Sequence, residues 1–151
     1  MTKTYINWND FHKDCSKAAV PFINKRIDYI VALSRGGLVP ARIINNFIDC
    51  NSILVLGLKL YNEYEAGEQV DLYQDIPDLH FDRHSSFLIV DDISDSGKTL
   101  QYAYSHIFKK SGGGSIYSVT PYIKKSTSYI PASYSKCFPD DEWIVFPFEE
   151  D

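Results

Sequence analysis

The sequence has little cysteine, no long apolar run and no excess of positive charge. Its 151 residues include three cysteines, Cys15, Cys50 and Cys137, which lie far apart and form no Cys-x-x-Cys pair. The odd number and wide spacing argue against a disulfide framework and indicate free thiols in a reducing compartment. No apolar run approaches the roughly 18–20 residues that a membrane-spanning helix requires.

The charge balance and the first residues argue against two further classes of protein. A formal net charge of -5 disfavours non-specific nucleic-acid binding, which needs a basic face. Residues 1–8 lack the apolar core of a signal peptide. We therefore expect a cytoplasmic protein that binds neither nucleic acid nor membranes. The length predicts a single domain, residues 1–151, which can bury a core large enough to be stable without disulfide bonds or a structural metal.

Short apolar runs alternate with longer amphipathic stretches, a pattern that predicts an α/β fold. Strands are predicted at 27–33, 52–60, 87–90, 116–123 and 143–146, and helices at 10–24 (capped by Asn9), 38–48 and 99–110. This alternation favours a mainly parallel sheet flanked by helices, with ligands beyond the carboxyl ends of the strands. Residues 61–86 are polar with little periodicity, which predicts a long functional or mobile loop.

Two acidic residues, Asp91 and Asp92, directly follow the predicted strand 87–90. Burying two charges at a strand end is costly, and a cation or a polyhydroxyl ligand would offset that cost. Residues 95–99, Asp-Ser-Gly-Lys-Thr, then open a helix whose free N–H groups and positive dipole end favour a phosphate. The run is not a Walker A loop, because Asp92 stands where that motif needs glycine. An ordinary helix cap would explain one of these residues, but not three carboxylates in five positions.

Residues 87–100 resemble the signature of the type I phosphoribosyltransferases, especially the hypoxanthine–guanine and xanthine–guanine enzymes. That signature is an apolar strand, two acids, two further residues and then Asp-Thr/Ser-Gly-x-Thr, from which the chain departs only in the less common Ser96. The resemblance implies that the 5-phosphate of a phosphoribosyl group is held by Asp95, Ser96, Gly97, Lys98 and Thr99. It implies that Asp91 and Asp92 bind the ribose hydroxyls, directly or through Mg²⁺, and that Asp95 manages the proton on purine N7.

A second motif, Ser34-Arg35-Gly36-Gly37, follows the first predicted strand. An arginine beside paired glycines at a helix start suits an anion, through the guanidinium and backbone N–H groups. The motif resembles the pyrophosphate loop of the same family, in which the peptide bond before the arginine is often cis. We therefore expect a cis bond between Ser34 and Arg35, with Arg35 acting on the leaving pyrophosphate.

The C-terminal third resembles the base-binding part of the purine enzymes, a small hood over the base. The resemblance implies that Lys124 donates to the 6-oxygen of a purine, although the adjacent Lys125 leaves the alignment open by one residue. Trp143 would stack on the base, and the main chain of Ile144 and Val145 would contact its 2-substituent. The xanthine–guanine enzymes carry glutamate where Val145 aligns, so the preferred base stays open.

The resemblance as a whole implies a Mg²⁺-dependent purine-salvage enzyme. Such an enzyme transfers 5-phosphoribosyl from phosphoribosyl diphosphate to guanine, xanthine or hypoxanthine and releases pyrophosphate. The family is usually dimeric or tetrameric, which implies a homo-oligomer, and it closes a flexible catalytic loop that corresponds here to residues 61–86. Two alternatives stay open: a non-catalytic regulator of the same fold that senses nucleotide or phosphoribosyl diphosphate, and a transferase for a pyrimidine or modified base.

Overall fold

The computed structural model describes residues 1–63 and 67–149, and places a five-stranded sheet among three α-helices and two smaller sheets. The helices are α1 (Trp8–Ala19), α2 (Leu38–Asn45) and α3 (Lys98–Ser111). The strands are β1 (Thr2–Tyr5), β2 (Tyr29–Ser34), β3 (Ile53–Glu63), β4 (Gly67–Gln74), β5 (Ser86–Val90), β6 (Ile93–Ser94), β7 (Ser115–Val119), β8 (Tyr122–Lys124), β9 (Lys136–Phe138) and β10 (Glu142–Val145). None of the described helices is long and apolar enough to span a membrane.

The central sheet has the order β4-β3-β2-β5-β7, and its last four strands run parallel. Because side chains alternate along a strand, Ile30 and Ala32 face the cluster formed with α1 and α2. Val31 and Leu33 face the opposite cluster, which includes α3. The predicted α/β fold with a mainly parallel sheet and flanking helices is therefore confirmed.

The first predicted helix and the predicted strand 116–123 differ from the observed elements. Helix α1 is capped by Asn7, whose Oδ1 accepts from the Asp10 N–H at 2.8 Å, so the predicted cap at Asn9 is wrong. The helix ends at Ala19, since Pro21 lies in a 3₁₀ turn over Val20–Phe22. The predicted strand 116–123 is split into β7 and β8, because Pro121 interrupts the ladder and β8 joins a different sheet.

The polar segment 61–86 is more regular than its sequence suggests. Strand β3 continues to Glu63, and β4 pairs with it antiparallel after a register shift at Gly57/Leu58. The prediction of an irregular loop is thus wrong for β4, while residues 64–66 lie outside the described residues. The sequence pattern missed this hairpin because β4 lies at the edge of the sheet, where polar residues are tolerated.

A buried carboxylate, Asp14, ties α1 to the sheet β6-β8-β9. It is 1% exposed and accepts hydrogen bonds from Tyr122 Oη at 2.8 Å and Ser135 Oγ at 2.7 Å. Lys136 Nζ lies 3.2 Å from the same carboxylate. Burial, together with the Asp14 hydrogen bond, raises the pKa of Tyr122. Asp14 therefore fixes the strand that ends in Lys124.

We expect Asp14→Ala to lower the free energy of unfolding by about 3 kcal/mol, because it leaves the buried Tyr122 hydroxyl without its acceptor. Urea unfolding followed by circular dichroism measures the change. Asp49→Ala is the matched control, since Asp49 is exposed at the end of the α2 region. Equal stabilities for the two variants would contradict the structural role of Asp14.

Candidate active site

Three pockets lie at the carboxyl ends of β2, β3 and β5, where the sequence predicts the ligand site. A cavity of about 790 Å³ is lined by Lys3, Arg35, Gly36, Asp92, Trp143, Val145, Phe148 and Glu149. A smaller one of about 270 Å³ is lined by Leu60, Asp91, Ile93, Ser94, Asp95, Ser96, Gly97, Thr99 and Leu100. The third, of about 660 Å³, lies between Arg35 and the β3–β4 hairpin. Most of the predicted site residues thus lie together beyond the carboxyl ends of the parallel strands.

The adjacent carboxylates Asp91 and Asp92 open to different pockets. Asp91 lines the small pocket and Asp92 the large one, although both follow the fully buried strand β5. Burial, and then the charge of Asp92, raises the pKa of Asp91 well above its usual value. Burial also raises the pKa of Asp92 to about 6, and Glu149 adds to that rise. Ionising both carboxylates is therefore costlier here than in water.

The residue that precedes α3 in the phosphate loop is a glycine, and at this helix start the Ser96 Oγ accepts from the Lys98 N–H at 3.3 Å. The glycine, Gly97, has φ 89°, and a Cβ on it would lie 2.5 Å from the Tyr129 nitrogen. Only glycine fits this left-handed and crowded position. The first N–H groups of α3 lie beside the small pocket, and an anion there would accept from them.

A segment that the sequence did not indicate supports this loop from behind. Ser94 is buried, and its Oγ donates to the Tyr129 carbonyl at 2.7 Å and lies 2.9 Å from Thr127 Oγ1. Both the N–H and the Oγ of Ser128 donate to the Ser96 carbonyl, at 2.9 and 2.7 Å. Residues 127–129 thus hold the backbone on both sides of Asp95. Their Ser/Thr-rich composition is a weak signal without the structure.

The predicted pyrophosphate loop has the expected cis peptide bond between Ser34 and Arg35. Gly36 packs directly against the Asp92 carboxylate, in the space that a Cβ would fill. The Gly37 N–H donates to the Leu33 carbonyl at 2.8 Å, so this amide already has an acceptor within the protein. The described residues record no acceptor for the N–H groups of Arg35 and Gly36, which leaves these two as the donors of the loop.

Two of the four predicted base-binding residues line the large pocket. Trp143, 55% exposed, and Val145 line the pocket, while Ile144 is buried. Lys124 is 6% exposed, and its ammonium donates to the carbonyls of Pro139 (3.1 Å) and Glu142. Since an ammonium has three N–H groups, one remains for a ligand oxygen. Lys125 is exposed and its backbone N–H donates to the Phe138 carbonyl, and neither lysine is among the residues that line the large pocket, so the assignment between them stays a prediction.

Three residues that the sequence did not single out, Lys3, Phe148 and Glu149, complete the large pocket. Lys3 reaches it because β1 pairs parallel to β10, with Lys3 opposite Trp143. Glu149 Oε2 accepts from the Phe146 N–H at 2.9 Å, which fixes the turn after β10. The pairing of β1 with β10 joins the two ends of the chain and leaves no local sequence pattern.

The carboxylates Asp91 and Asp92 suit Mg²⁺ only together with a substrate. The described residues contain no cluster of three acidic, histidine or cysteine side chains that would hold a metal alone. Mg²⁺ binds through one or two carboxylates, substrate phosphate oxygens and water, and this pair provides the carboxylates. A bound cation would also offset the cost of burying the two charges, which is the main cause of both raised pKa values.

The family model of the phosphoribosyl transferase domain matches residues 2–151. The chain belongs to the phosphoribosyltransferase family. It is 29% identical to a xanthine-guanine phosphoribosyltransferase of Cereibacter sphaeroides, over 96% of this chain and 86% of that protein. It is 33% identical to xanthine phosphoribosyltransferase 1 of Saccharomyces cerevisiae, over 72% of this chain and 61% of that protein. The crystal structure of a purine phosphoribosyltransferase from Pyrococcus horikoshii superposes with a TM-score of 0.85 and 30% identity, over 100% of this chain and 97% of that one.

These similarities confirm the predicted family, including its likeness to the xanthine–guanine enzymes. The roles assigned to individual residues of this phosphoribosyltransferase stay predictions.

We expect the charge of the acidic pair to lower the free energy of unfolding of the protein when no ligand is bound. The folded-state pKa of Asp92 is raised to about 6, whereas its unfolded pKa is about 4. Ionisation of Asp92 therefore destabilises the folded protein fully above about pH 6, and the effect is lost as the pH falls to about 4. We expect Asp92→Asn to raise the free energy of unfolding by about 1–2 kcal/mol at pH 8, with the gain gone near pH 4.

Urea unfolding without ligand across this pH range measures the difference. Asp49→Asn is the control at an exposed position. An Asp92→Asn variant that is less stable than the parent protein at pH 8 would refute the assignment of a strained acidic pair.

Proposed function

We propose that the protein transfers the 5-phosphoribosyl group of phosphoribosyl diphosphate to a 6-oxopurine and releases pyrophosphate, as a step of purine salvage. The observation that carries this proposal is the placement of Arg35, Asp92 and Trp143 around one cavity beside the phosphate loop. Such a cavity offers a guanidinium and a carboxylate for the donor and an aromatic face for the base. The relatives named above are purine, xanthine or xanthine–guanine phosphoribosyltransferases.

The phosphate and ribose ends of the donor fit the small pocket. The N-terminus of α3 and the hydroxyls of Ser96 and Thr99 would hold the 5-phosphate, with Lys98 adding positive charge nearby. Asp91 opens to the same pocket and would accept hydrogen bonds from the ribose hydroxyls. Asp91 and Asp92 would also hold Mg²⁺, which, when bound, supplies charge neutralisation at the oxygens of the donor.

The reaction breaks the bond between ribose C1 and a pyrophosphate oxygen and forms a bond from C1 to a purine nitrogen. The electron pair of the broken bond leaves with pyrophosphate, and Arg35 with the N–H groups of Arg35 and Gly36 would stabilise that charge. The ribose carbon becomes positive as the bond breaks, and the Asp92 carboxylate favours that charge. Asp95 would accept or return the purine proton through N7.

The base would lie in the large pocket against Trp143. Stacking on an indole requires a wide apolar face, which the exposed ring provides. The remaining N–H of Lys124 would donate to the 6-oxygen, which distinguishes 6-oxopurines from 6-aminopurines. Val145 offers no side-chain acceptor to the 2-substituent. The cytoplasmic location and the homo-oligomeric state implied by the family stay predictions.

The direct test mixes protein, phosphoribosyl diphosphate and Mg²⁺ with guanine, xanthine, hypoxanthine, adenine or uracil, and measures nucleotide and pyrophosphate. We expect turnover with at least one 6-oxopurine and none with adenine. Asp95→Ala should lower kcat by about 100-fold or more, with the KM for phosphoribosyl diphosphate changed far less.

The control for this variant is Asp49→Ala, which should behave as the parent protein. Tight nucleotide binding without turnover of any base would overturn the enzyme proposal in favour of a regulator. Turnover of uracil alone would indicate a pyrimidine enzyme instead.

A further inference from the structure

Arg35 lines the third pocket as well as the large pocket. The loop contributes Ser34 and Arg35, and the β3–β4 hairpin contributes the rest of its lining: Leu58, Lys59, Tyr61, Asp71 and Tyr73. A hairpin that the sequence predicted only as an irregular loop thus faces the predicted pyrophosphate loop across about 660 Å³. The facing side chains include a second cation, Lys59.

The alternation of β3 determines which side chains face this pocket. Lys59 and Tyr61 lie on one face of the strand, whereas Leu60 points to the other and lines the phosphate-loop pocket. Lys59 Nζ lies 5.0 Å from the centroid of the Tyr61 ring, a cation–π contact that restricts where the ammonium can point. The strand that separates the two pockets therefore presents an apolar side chain to one and a positive charge to the other.

Tyr73 connects the hairpin to the pyrophosphate loop. Its Oη donates to the Ser34 carbonyl at 3.1 Å or to Ser34 Oγ at 2.9 Å. Its ring lies over Gly57, in space that a Cβ would occupy. Because Ser34 immediately precedes Arg35, this contact sets the position of the hairpin relative to the guanidinium.

The charges around the pocket suit a diphosphate. Arg35 from the loop and Lys59 from the hairpin both line it, and a diphosphate carries more negative charge than one guanidinium neutralises. Asp71, which also lines the pocket, stands opposite Lys59 in the antiparallel register. The pocket thus has one cation from the pyrophosphate loop, Arg35, and one from the β3–β4 hairpin, Lys59.

We propose that Lys59 is a second cationic ligand of the diphosphate group, acting with Arg35, and that Tyr61 and Tyr73 position it. This inference rests on the proposed function, since the diphosphate is the leaving group of that reaction. Lys59 contacts the diphosphate of the donor and the free pyrophosphate product, and not a nucleoside monophosphate, which lacks that group.

The test compares Lys59→Ala with Lys25→Ala in the full chain. Lys25 is a matched control, because its Nζ lies 5.1 Å from the Tyr117 ring, in the same kind of contact but outside the pockets described above. Calorimetry with Mg²⁺ measures the affinity for inorganic pyrophosphate and, separately, for guanosine monophosphate. We expect Lys59→Ala to weaken pyrophosphate binding about tenfold and leave the monophosphate unchanged.

Lys59→Arg should restore the affinity for pyrophosphate to within about threefold, since it keeps the charge. In turnover, Lys59→Ala should raise the KM for phosphoribosyl diphosphate much more than it lowers kcat. Unchanged pyrophosphate affinity in Lys59→Ala, an equal loss for the monophosphate, or a parent protein that does not bind pyrophosphate would overturn the role of Lys59. Loss of pyrophosphate affinity alongside a parent protein that turns over no base would retain it and reject the proposed reaction.

Discussion

The adjacent carboxylates at the end of β5 are the constraint on which the rest of the site depends. An all-buried strand delivers Asp91 and Asp92 to a place where water cannot fully solvate both charges, and their pKa values rise in consequence. Gly36 leaves room for the pyrophosphate loop to pack against Asp92. The charged acidic pair therefore destabilises the folded protein unless a cation or a hydroxylated ligand is bound. Such instability without ligand is common where a site is organised for binding.

The phosphate loop and the base hood share one support. Residues 127–129 hold the phosphate loop through Ser94 and Ser96, and the neighbouring Ser126 donates from its N–H and Oγ to Asp140 Oδ1, at 3.0 and 2.8 Å. These hydrogen bonds lower the pKa of the Asp140 carboxyl. Asp140 precedes β10, which carries Trp143, so the positions that would hold the 5-phosphate and the base are set by the same short segment.

The residues that the sequence identified lie in continuous motifs at strand ends. Residues 91–99 and 34–37 can be recognised because a strand, a turn and a helix start impose their residue types locally. Lys3, Glu149 and Lys59 could not be found in this way, since each reaches the site through strand pairing. Lys3 depends on a parallel pair between the two ends of the chain, and Lys59 on an edge hairpin whose polar residues resemble a loop. The engagement of the Gly37 amide with Leu33 likewise follows from backbone geometry that composition does not encode.

The central claim is that a cation-bound donor stabilises the charged form of both carboxylates of the acidic pair. Calorimetric titration of Mg²⁺ with phosphoribosyl diphosphate into the protein at pH 6, in two buffers of different ionisation enthalpy, gives the number of protons exchanged. The account predicts proton release by the parent protein that is markedly smaller for Asp92→Asn under identical conditions. Equal proton exchange by the two proteins, with equal affinity for the donor, would contradict it.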